Sequence, residues 1–348
     1  MNFVKFRKYC INHNNPNGRD YFSPQNFAYE AETDLGWWNK SNHNYIKKTA
    51  FKVNNQEESI SFQIFTNKLG FRVGAKEFLN NNIIKKTLII CGESNFWGQG
   101  LDHEKTISGN LEQKYNISNY NASLIACSGV QAYLIFKKFM FLKPKIFLYG
   151  MLDVNLCDNI TQCANIDSPL CFERPFFKLS GNSLFIKNVK NSQRNLSRYL
   201  NWYRRKNKSW IKFYFLYLIE IIRQKIDKQR KPLSSSFDRL NNDQQKAALL
   251  GLQTLCNKFA QDGNCNLVKI VVCYLPMFSQ LINDSAKKSI EEAVKNAGLI
   301  WIDLEPCLSL TGQKSINPNY FFPLDGHLNS EGHERVAAEI ADKIRELL

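Results

Sequence analysis

A serine in the first third of the chain and a histidine–aspartate pair near its end have the residue types and settings of hydrolytic groups. Ser94 follows the apolar run 87–91 in a glycine-containing turn, and Asp325 and His327 lie two residues apart in this 348-residue chain. A serine hydroxyl needs a general base at neutral pH, and an imidazole can supply it while a carboxylate fixes the imidazole tautomer. We therefore predict that Ser94 is a nucleophile, that His327 is its base and that Asp325 orients His327.

The histidine–aspartate pair is the more specific half of this pattern. A Gly-Xaa-Ser sequence is common, whereas the chain has only five histidines, and one of them lies close to an aspartate on a predicted strand-to-helix loop. Among the other histidines, we expect His333 to pack or cap at the start of the last helix. We expect His103, which has charged neighbours, to be exposed to solvent.

The elements around these residues alternate between strand and helix. Short apolar runs predict strands at 87–94, 121–129, 145–150, 267–276 and 299–304, with helices between and after them. Such an alternation predicts a five-stranded parallel sheet with helices on both faces. Ligands of open parallel sheets bind at the carboxyl ends of the strands, which is where Ser94 lies. Its backbone N–H, close to the next helix, can stabilise an oxyanion.

Two segments do not follow this alternation. We expect residues 1–85 to form an N-terminal annex with short strands, and residues 156–240 to interrupt a main domain that spans 86–348. The interruption is strongly basic, because residues 187–231 hold 14 Lys or Arg and only two acids in a chain of net charge +15. This charge favours contact with anionic surfaces.

Three roles are open for the basic segment 187–231, whose stretch 209–226 is apolar almost all round. The first is a helical cap that packs on the main domain. The second is an interfacial helix with a basic polar face, which would give peripheral association with an anionic membrane surface. The uncharged run in this stretch is too short to span a bilayer. The third role is nucleic-acid binding, which we do not expect because the segment matches no recognition module.

The N-terminus and the cysteines predict the compartment. The first residues include basic side chains but no apolar stretch of signal-peptide length, so we expect a cytoplasmic protein that is either free or peripheral to a membrane. Ten cysteines form no CxxC pair and are expected to be free thiols in a reduced compartment. The alternative concerns Cys157, Cys163 and Cys171, which could bind a metal or form a disulfide. Their spacing matches no zinc pattern, and we predict no metal site.

Three blocks of the sequence resemble the SGNH/GDSL hydrolase family. Gly92-Glu93-Ser94 with Gly98-Gln99-Gly100 resembles the GDS-x-x-x-G-x-G block that opens these hydrolases, and residues 325–333 resemble their closing D-x-H-x-N…G-H block. Residues 35–37 and 67–72 resemble the lead-in found before the hydrolase domain in many bacterial members. The resemblance covers 35–153 and 240–348. It implies a three-layer α/β/α fold of the flavodoxin-like type, in which Ser94, Asp325 and His327 are catalytic and no cofactor is required.

The resemblance also implies the donors that would stabilise an oxyanion. The family places a backbone-donating glycine after its second strand, a position that Gly129 fits here. A further block of the family, G-x-N-D, corresponds to residues 150–153, where Leu152 replaces the donating asparagine. Asn155 and Asn95 are the candidates to supply the missing donor. Glu93, in place of the usual aspartate, keeps the charge but lengthens the side chain.

The function implied by the resemblance is ester hydrolysis or acyl transfer through an acyl-enzyme. The expected substrate is a small-molecule or glycan ester, such as an O-acetyl or short acyl group on a carbohydrate or lipid. The alternative is a catalytically impaired domain, because of Leu152, that binds a glycan or an anionic surface.

Overall fold

The structure of the protein is a computed structural model that describes residues 29–348, with gaps at 54–55, 81–82, 165–171, 181–182, 277–283, 311–314 and 323–325. Within 190–239 it describes seven residues: Tyr214, Phe215, Leu218, Ile219, Ile222, Ile226 and Phe237. Asp325 and most of the basic segment therefore lie outside the described residues.

The described residues form one large sheet and three small hairpins. In chain order the strands are β1 (Tyr29–Glu32), β2 (Gly36–Asn39), β3 (His43–Val53), β4 (Gln56–Thr66), β5 (Arg72–Val73), β6 (Leu88–Gly92), β7 (Asn119–Asn121), β8 (Ile146–Met151), β9 (Cys163–Ala164), β10 (Phe172–Glu173), β11 (Phe176–Ser180), β12 (Ser183–Lys187), β13 (Lys269–Tyr274) and β14 (Ile300–Asp303). The large sheet has the order β14-β13-β8-β6-β7-β5-β4-β3.

Five adjacent strands of this sheet, β7, β6, β8, β13 and β14, run parallel. Counted along the chain their order is 2-1-3-4-5, which is the flavodoxin-like order. The predicted five-stranded parallel sheet is therefore confirmed. The sheet is larger than predicted, because β5, β4 and β3 extend it in antiparallel fashion beyond β7.

Helices cover both faces of the parallel part of the sheet. They are α1 (Ala75–Asn80), α2 (Ser94–Trp97), α3 (Ile107–Tyr115), α4 (Gly129–Phe139), α5 (Val154–Asp158), α6 (Asn242–Asn266), α7 (Asp284–Asn296), α8 (Glu305–Leu308) and α9 (Ser330–Ile344). Buried side chains of α4, α6 and α7 pack in one hydrophobic core, and those of α3 and α9 pack in the other. The three-layer α/β/α architecture is thus confirmed.

The central strands are apolar along their whole length because both of their faces are covered. Every residue of β6 and β8 is buried. Successive side chains of a strand point to opposite faces, so Ile89 and Phe147 belong to one core while Ile90 and Leu148 belong to the other.

Three of the N-terminal strands, β3, β4 and β5, are part of the main sheet. The hairpin of β3 and β4 pairs with β5, and β5 pairs with β7 through Arg72 and Asn121. The predicted boundary at residue 86 is therefore not a break in the sheet. The side chain of Arg72 is fully buried and donates to the carbonyl oxygens of Trp97 (2.6 Å), Gly98 (2.7 Å) and Leu101. This strand end thereby supports the turn that follows α2.

The described part of the insertion begins with two small hairpins, β9–β10 and β11–β12. Cys163 on β9 forms a disulfide whose partner lies outside the described residues. The prediction of free thiols is wrong for Cys163, and the alternative of a disulfide holds for it, whereas Cys157 is a free thiol.

The predicted helices of the insertion lie mostly outside the described residues, but Tyr214, Phe215, Leu218, Ile219, Ile222 and Ile226 are helical. In the part of the chain that the structure describes, we find no helix with the length and hydropathy needed to cross a membrane.

Replacing Arg72 tests whether this guanidinium supports the turn after α2. We expect Arg72→Met to lower the free energy of unfolding by roughly 3 kcal/mol, because three buried carbonyls lose a charged donor. Urea denaturation measures the change, and Arg345→Met, at an exposed position on the last turn, is the matched control. A loss no larger than that of the control would show that the carbonyls do not depend on Arg72.

Candidate active site

The first element of the site is the turn between β6 and α2, which carries Ser94. Gly92 on β6 lies beside Gly150 on β8 in the parallel register. The ring of Phe96 packs directly over both glycines: an added Cβ would lie 2.9 Å from Phe96 at Gly92 and 2.1 Å from it at Gly150. The two glycines let α2 sit close against the strand ends. Ser94, the first residue of α2, consequently lies at the carboxyl edge of the sheet.

The second element is the loop before α9, which carries His327. The Nε2 atom of His327 lies 2.7 Å from the hydroxyl oxygen of Ser94, although 233 positions separate them in sequence. His327 is buried and Ser94 is partly exposed. The structure therefore brings the predicted nucleophile and the predicted base together. Asp325 lies outside the described residues, and its contact with His327 stays a prediction.

Asn95 holds the histidine loop against the serine turn. Its side-chain oxygen accepts a hydrogen bond of 2.8 Å from the backbone N–H of Leu328. The carbonyl of His327 in turn accepts a hydrogen bond of 2.8 Å from the N–H of Phe322. The amide nitrogen of Asn95 makes no hydrogen bond to other described residues, so it stays a candidate oxyanion donor.

His333 and His103, the other two histidines considered in the sequence, make contacts that hold neighbouring elements together. His333 is buried, its Nδ1 accepts a hydrogen bond of 3.0 Å from the N–H of Ile107, and burial lowers its pKa to about 3. It caps the start of α3 as a neutral ring, as predicted. The expectation that His103 is exposed is wrong. Its ring is buried near Gly74, and its Nε2 lies 3.4 Å from Glu112, because the short helical turn it belongs to packs against α3.

The backbone N–H groups of Ser94 and Gly129 were predicted as oxyanion donors, and the two residues lie in different surroundings. The N–H of Ser94, at the first position of α2, has no hydrogen-bond partner among the described residues, as expected for the first turn of a helix. Gly129 instead lies in the protein interior. A Cβ there would be 2.5 Å from Leu255, 2.7 Å from Asn159 and 2.9 Å from Tyr149. Gly129 is thus required for close packing of α4, and this packing does not explain a role at the nucleophile.

A turn with an uncommon backbone conformation lies three residues before Gly129, at Ala126. Ala126 has a φ of +56°, a left-handed conformation that is uncommon for a residue with a Cβ. Its carbonyl accepts a hydrogen bond of 3.3 Å from Arg174, and the carbonyl of the next residue, Cys127, accepts one of 3.0 Å from Asn155. Uncommon backbone conformations cluster at functional sites. In the sequence, the oxyanion donor is expected at a small residue in the loop after the second strand, and both Ala126 and Gly129 meet that description.

Asn155 connects three loops and is not free to bind an oxyanion in this structure. Its amide nitrogen donates to Glu93 (2.6 Å) and to the carbonyl of Cys127 (3.0 Å), and its amide oxygen accepts from the N–H of Leu152 (2.8 Å). These partners follow β6, β7 and β8 respectively. Both amide hydrogens are used, so the expectation that Asn155 replaces the missing donor is wrong for this arrangement.

Leu152 lies beside the nucleophile in the sheet register. It follows Gly150 by two residues, as Ser94 follows the paired Gly92. Its side chain is buried in the hydrophobic core that contains Phe96 and Leu328. An apolar side chain has no donor, so Leu152 contributes packing under the site.

Glu93, next to the nucleophile, is a buried acid that forms no ion pair with the described residues. Burial, and after it the nearby charge of Asp158, raise its pKa to about 8, although Arg174 and the hydrogen bond from Asn155 oppose the shift. Asp158 itself forms a buried ion pair with Arg174 on the insertion. Arg174 was missed from sequence, because nothing in a lone Arg-Pro dipeptide indicates a buried charge.

Ser94 and His327 are arranged as a nucleophile and its base. The described residues include no group of His, Cys, Asp and Glu that could hold a metal ion. The serine hydroxyl can donate to a neutral imidazole at 2.7 Å, which is the distance expected for a nucleophile with its base.

Comparisons with known proteins give structural matches only. No protein-family profile and no curated protein matches the chain. Among solved structures, a lipolytic protein of the G-D-S-L family from Desulfitobacterium hafniense is 12% identical, with a TM-score of 0.41, over 75% of this chain and 99% of its own. A GDSL-like lipase from Bacteroides thetaiotaomicron is 12% identical, with a TM-score of 0.40, over 76% of this chain and 90% of its own.

A psychrotrophic esterase from Pseudoalteromonas is 10% identical, with a TM-score of 0.40, over 75% of this chain and 97% of its own. These matched structures are lipolytic proteins and esterases of the kind that the three sequence blocks resemble. The identities and TM-scores are too low to support any conclusion about this chain by themselves.

The raised pKa of Glu93 predicts a pH dependence of stability. The folded chain keeps the Glu93 proton at a pH where the unfolded chain has released it, so stability falls as pH rises from about 4.5 to about 8. We expect Glu93→Gln, which keeps the shape and the acceptor for Asn155, to remove most of this fall. Urea denaturation across this range measures it, with Glu292→Gln on the exposed face of α7 as control. An unchanged pH dependence in Glu93→Gln would show that Glu93 is ionised in the folded protein.

The role of the turn at Ala126 can be tested by substitution. Ala126→Gly accepts a φ of +56° and is expected to keep the turnover of an activated ester, whereas the β-branched side chain of Ala126→Val does not tolerate it and should lower turnover by about tenfold or more. The measurement is kcat on an activated ester. Equal turnover in the two variants would show that the Ala126 turn does not shape the site.

Proposed function

We propose that this protein is a serine esterase, in which Ser94 attacks an ester carbonyl and His327 accepts its proton. The observation that supports this most directly is the 2.7 Å distance between the Ser94 hydroxyl oxygen and Nε2 of His327. The match of Ser94, Asp325 and His327 to the blocks of the SGNH/GDSL family is consistent with the same chemistry.

The proposed reaction proceeds through an acyl-enzyme. Neutral His327 takes the proton of Ser94 as its oxygen bonds to the ester carbon, and the resulting imidazolium protonates the leaving alcohol. A water then gives a proton to His327 as its oxygen bonds to the acyl carbon, and the imidazolium returns that proton to the oxygen of Ser94 as the acid is released. If an alcohol replaces this water, the same steps transfer the acyl group. Asp325 is proposed to orient His327 through its second ring nitrogen.

The proposed oxyanion site has one donor from a side chain and the rest from the backbone. The backbone N–H of Ser94 is one donor, and a backbone N–H of the turn at Ala126 is proposed as another in place of Gly129. The amide nitrogen of Asn95, which makes no hydrogen bond to the described residues, is the proposed side-chain donor, because Leu152 has no donor and Asn155 is fully hydrogen-bonded. If Asn95 does not reach the oxyanion, the lost donor costs about 2.7–4 kcal/mol of transition-state stabilisation.

The proposed substrate is an O-acetyl or other short acyl ester on a carbohydrate or a lipid. This assignment follows from the family resemblance alone. A second candidate function, favoured by the apolar Leu152, is a domain that binds a glycan or an anionic surface without turnover.

Removing the nucleophile tests the proposal. We expect Ser94→Ala and His327→Ala each to lower kcat on p-nitrophenyl acetate by about 10³-fold or more, and the double variant to lose no more than either one, since the two act as a unit. Ser118→Ala, at an exposed serine, is the control. Turnover that survives in folded Ser94→Ala would contradict the proposed nucleophile, and binding without turnover in the wild type would favour the second candidate.

A further inference from the structure

The insertion carries a stripe of exposed apolar side chains, namely Phe215, Ile219, Ile222 and Ile226. They are 59%, 45%, 56% and 80% exposed, and all four residues are helical. Their spacing of four, three and four residues returns to the same side of a helix with 3.6 residues per turn. In a helix of that pitch, four residues with this spacing lie along one side and span about 17 Å, at 1.5 Å of rise per residue.

The stripe is attached to the folded domain by its other side. Tyr214, directly before the stripe, packs partly buried against the hydrophobic core that contains α4 and α6. Leu218 is also only partly exposed. Tyr214 and Leu218 are thus partly buried, whereas the four side chains of the stripe are exposed to solvent. A cap that packs on the domain accounts for the burial of Tyr214, but it does not explain why the stripe is exposed.

The stripe differs from the other exposed apolar residues of the protein. Ile46, Leu79, Ile84 and Phe141 are equally exposed but are dispersed over separate elements. Single exposed apolar residues are normal on soluble proteins, whereas a continuous apolar face indicates a binding surface.

The charge around the stripe indicates what binds there. Residues 187–231, which contain the stripe, hold 14 Lys or Arg against Glu220 and Asp227. A second copy of this chain would bring the same excess of cations to the contact, so repulsion disfavours a dimer through this face. An anionic lipid surface matches both the charge and the apolar stripe, because its phosphates attract the cations and its acyl region accepts the apolar side chains.

We propose that the face formed by Phe215, Ile219, Ile222 and Ile226 inserts into the interfacial region of an anionic phospholipid bilayer. The basic residues of 187–231 attract the protein to the surface, and the apolar stripe holds it there. The helix lies in the plane of the interface and does not span the bilayer. This proposal is independent of the proposed esterase activity, because neither Ser94 nor His327 takes part in the binding.

The test measures co-sedimentation of the full chain with phosphatidylcholine vesicles that contain either phosphatidylglycerol or no anionic lipid. We expect binding to the anionic vesicles, weaker binding as salt concentration rises, and little binding to phosphatidylcholine alone. Absence of binding of the wild-type protein to anionic vesicles, or equal binding to both kinds, would overturn the proposal.

A variant isolates the contribution of the stripe. The combined substitution Phe215→Gln, Ile219→Gln, Ile222→Gln and Ile226→Gln keeps helix-forming residues and should lower the vesicle partition coefficient by about tenfold or more. The matched control is Ile46→Gln, Leu79→Gln, Ile84→Gln and Phe141→Gln, which removes one exposed phenylalanine and three exposed aliphatic residues elsewhere. It should bind like the wild type.

Three results would contradict the role of the stripe. One is equal loss of vesicle binding in the control variant. A second is a wild-type dimer that the stripe variant dissociates, seen by sedimentation velocity, which would assign the face to a second copy. A third is salt-sensitive binding to single-stranded RNA without binding to vesicles. If the stripe variant does not fold, the lipid and salt dependence of the wild-type protein still decides the proposal.

Discussion

The packing of Phe96 on two glycines is the contact on which the geometry of the site depends. Gly92 and Gly150 lie side by side on neighbouring parallel strands, and no larger residue fits beneath the ring at either position. The contact lets α2 begin directly at the end of β6. Ser94 is then level with the loop that carries His327, and Leu152 is placed beside it on the neighbouring strand.

Polar side chains from distant parts of the chain hold the loops around this contact. Asn155 joins the loops after β6, β7 and β8, and Arg72 binds the carbonyls that follow α2. Arg174, from the insertion, binds both Asp158 and the strained turn at Ala126. Buried polar groups are costly unless they are paired. The site is therefore preorganised by a network in which each member satisfies several partners, and this preorganisation is what an oxyanion site needs.

The parallel sheet and the serine–histidine pair could be predicted from sequence because their signals are local. Apolar runs identify β6, β8 and β13 as buried strands, Ser94 follows the end of β6, and His327 lies in the loop before the last helix. Long-range pairing has no such signal, so the extension of the sheet by β3, β4 and β5 was not foreseen.

The supporting residues escaped prediction for a different reason. Gly129 and Ala126 are both small residues in one loop, and only the fold shows that the first is packed against Leu255 while the second takes the left-handed turn. The amide of Asn155 and the guanidinium of Arg174 bind partners that are far away in sequence, Glu93 and Ala126. A sequence pattern reports the kind of side chain, but it does not report how many hydrogen bonds that side chain already makes.

Covalent labelling with a fluorophosphonate tests most directly whether Ser94 is activated by His327. We expect the wild-type protein to gain one phosphonyl group, peptide mass spectrometry to locate it on Ser94, and His327→Ala to react far more slowly while staying folded. Absence of labelling in the folded wild-type protein, labelling of a different serine, or labelling of His327→Ala at the wild-type rate would contradict this expectation.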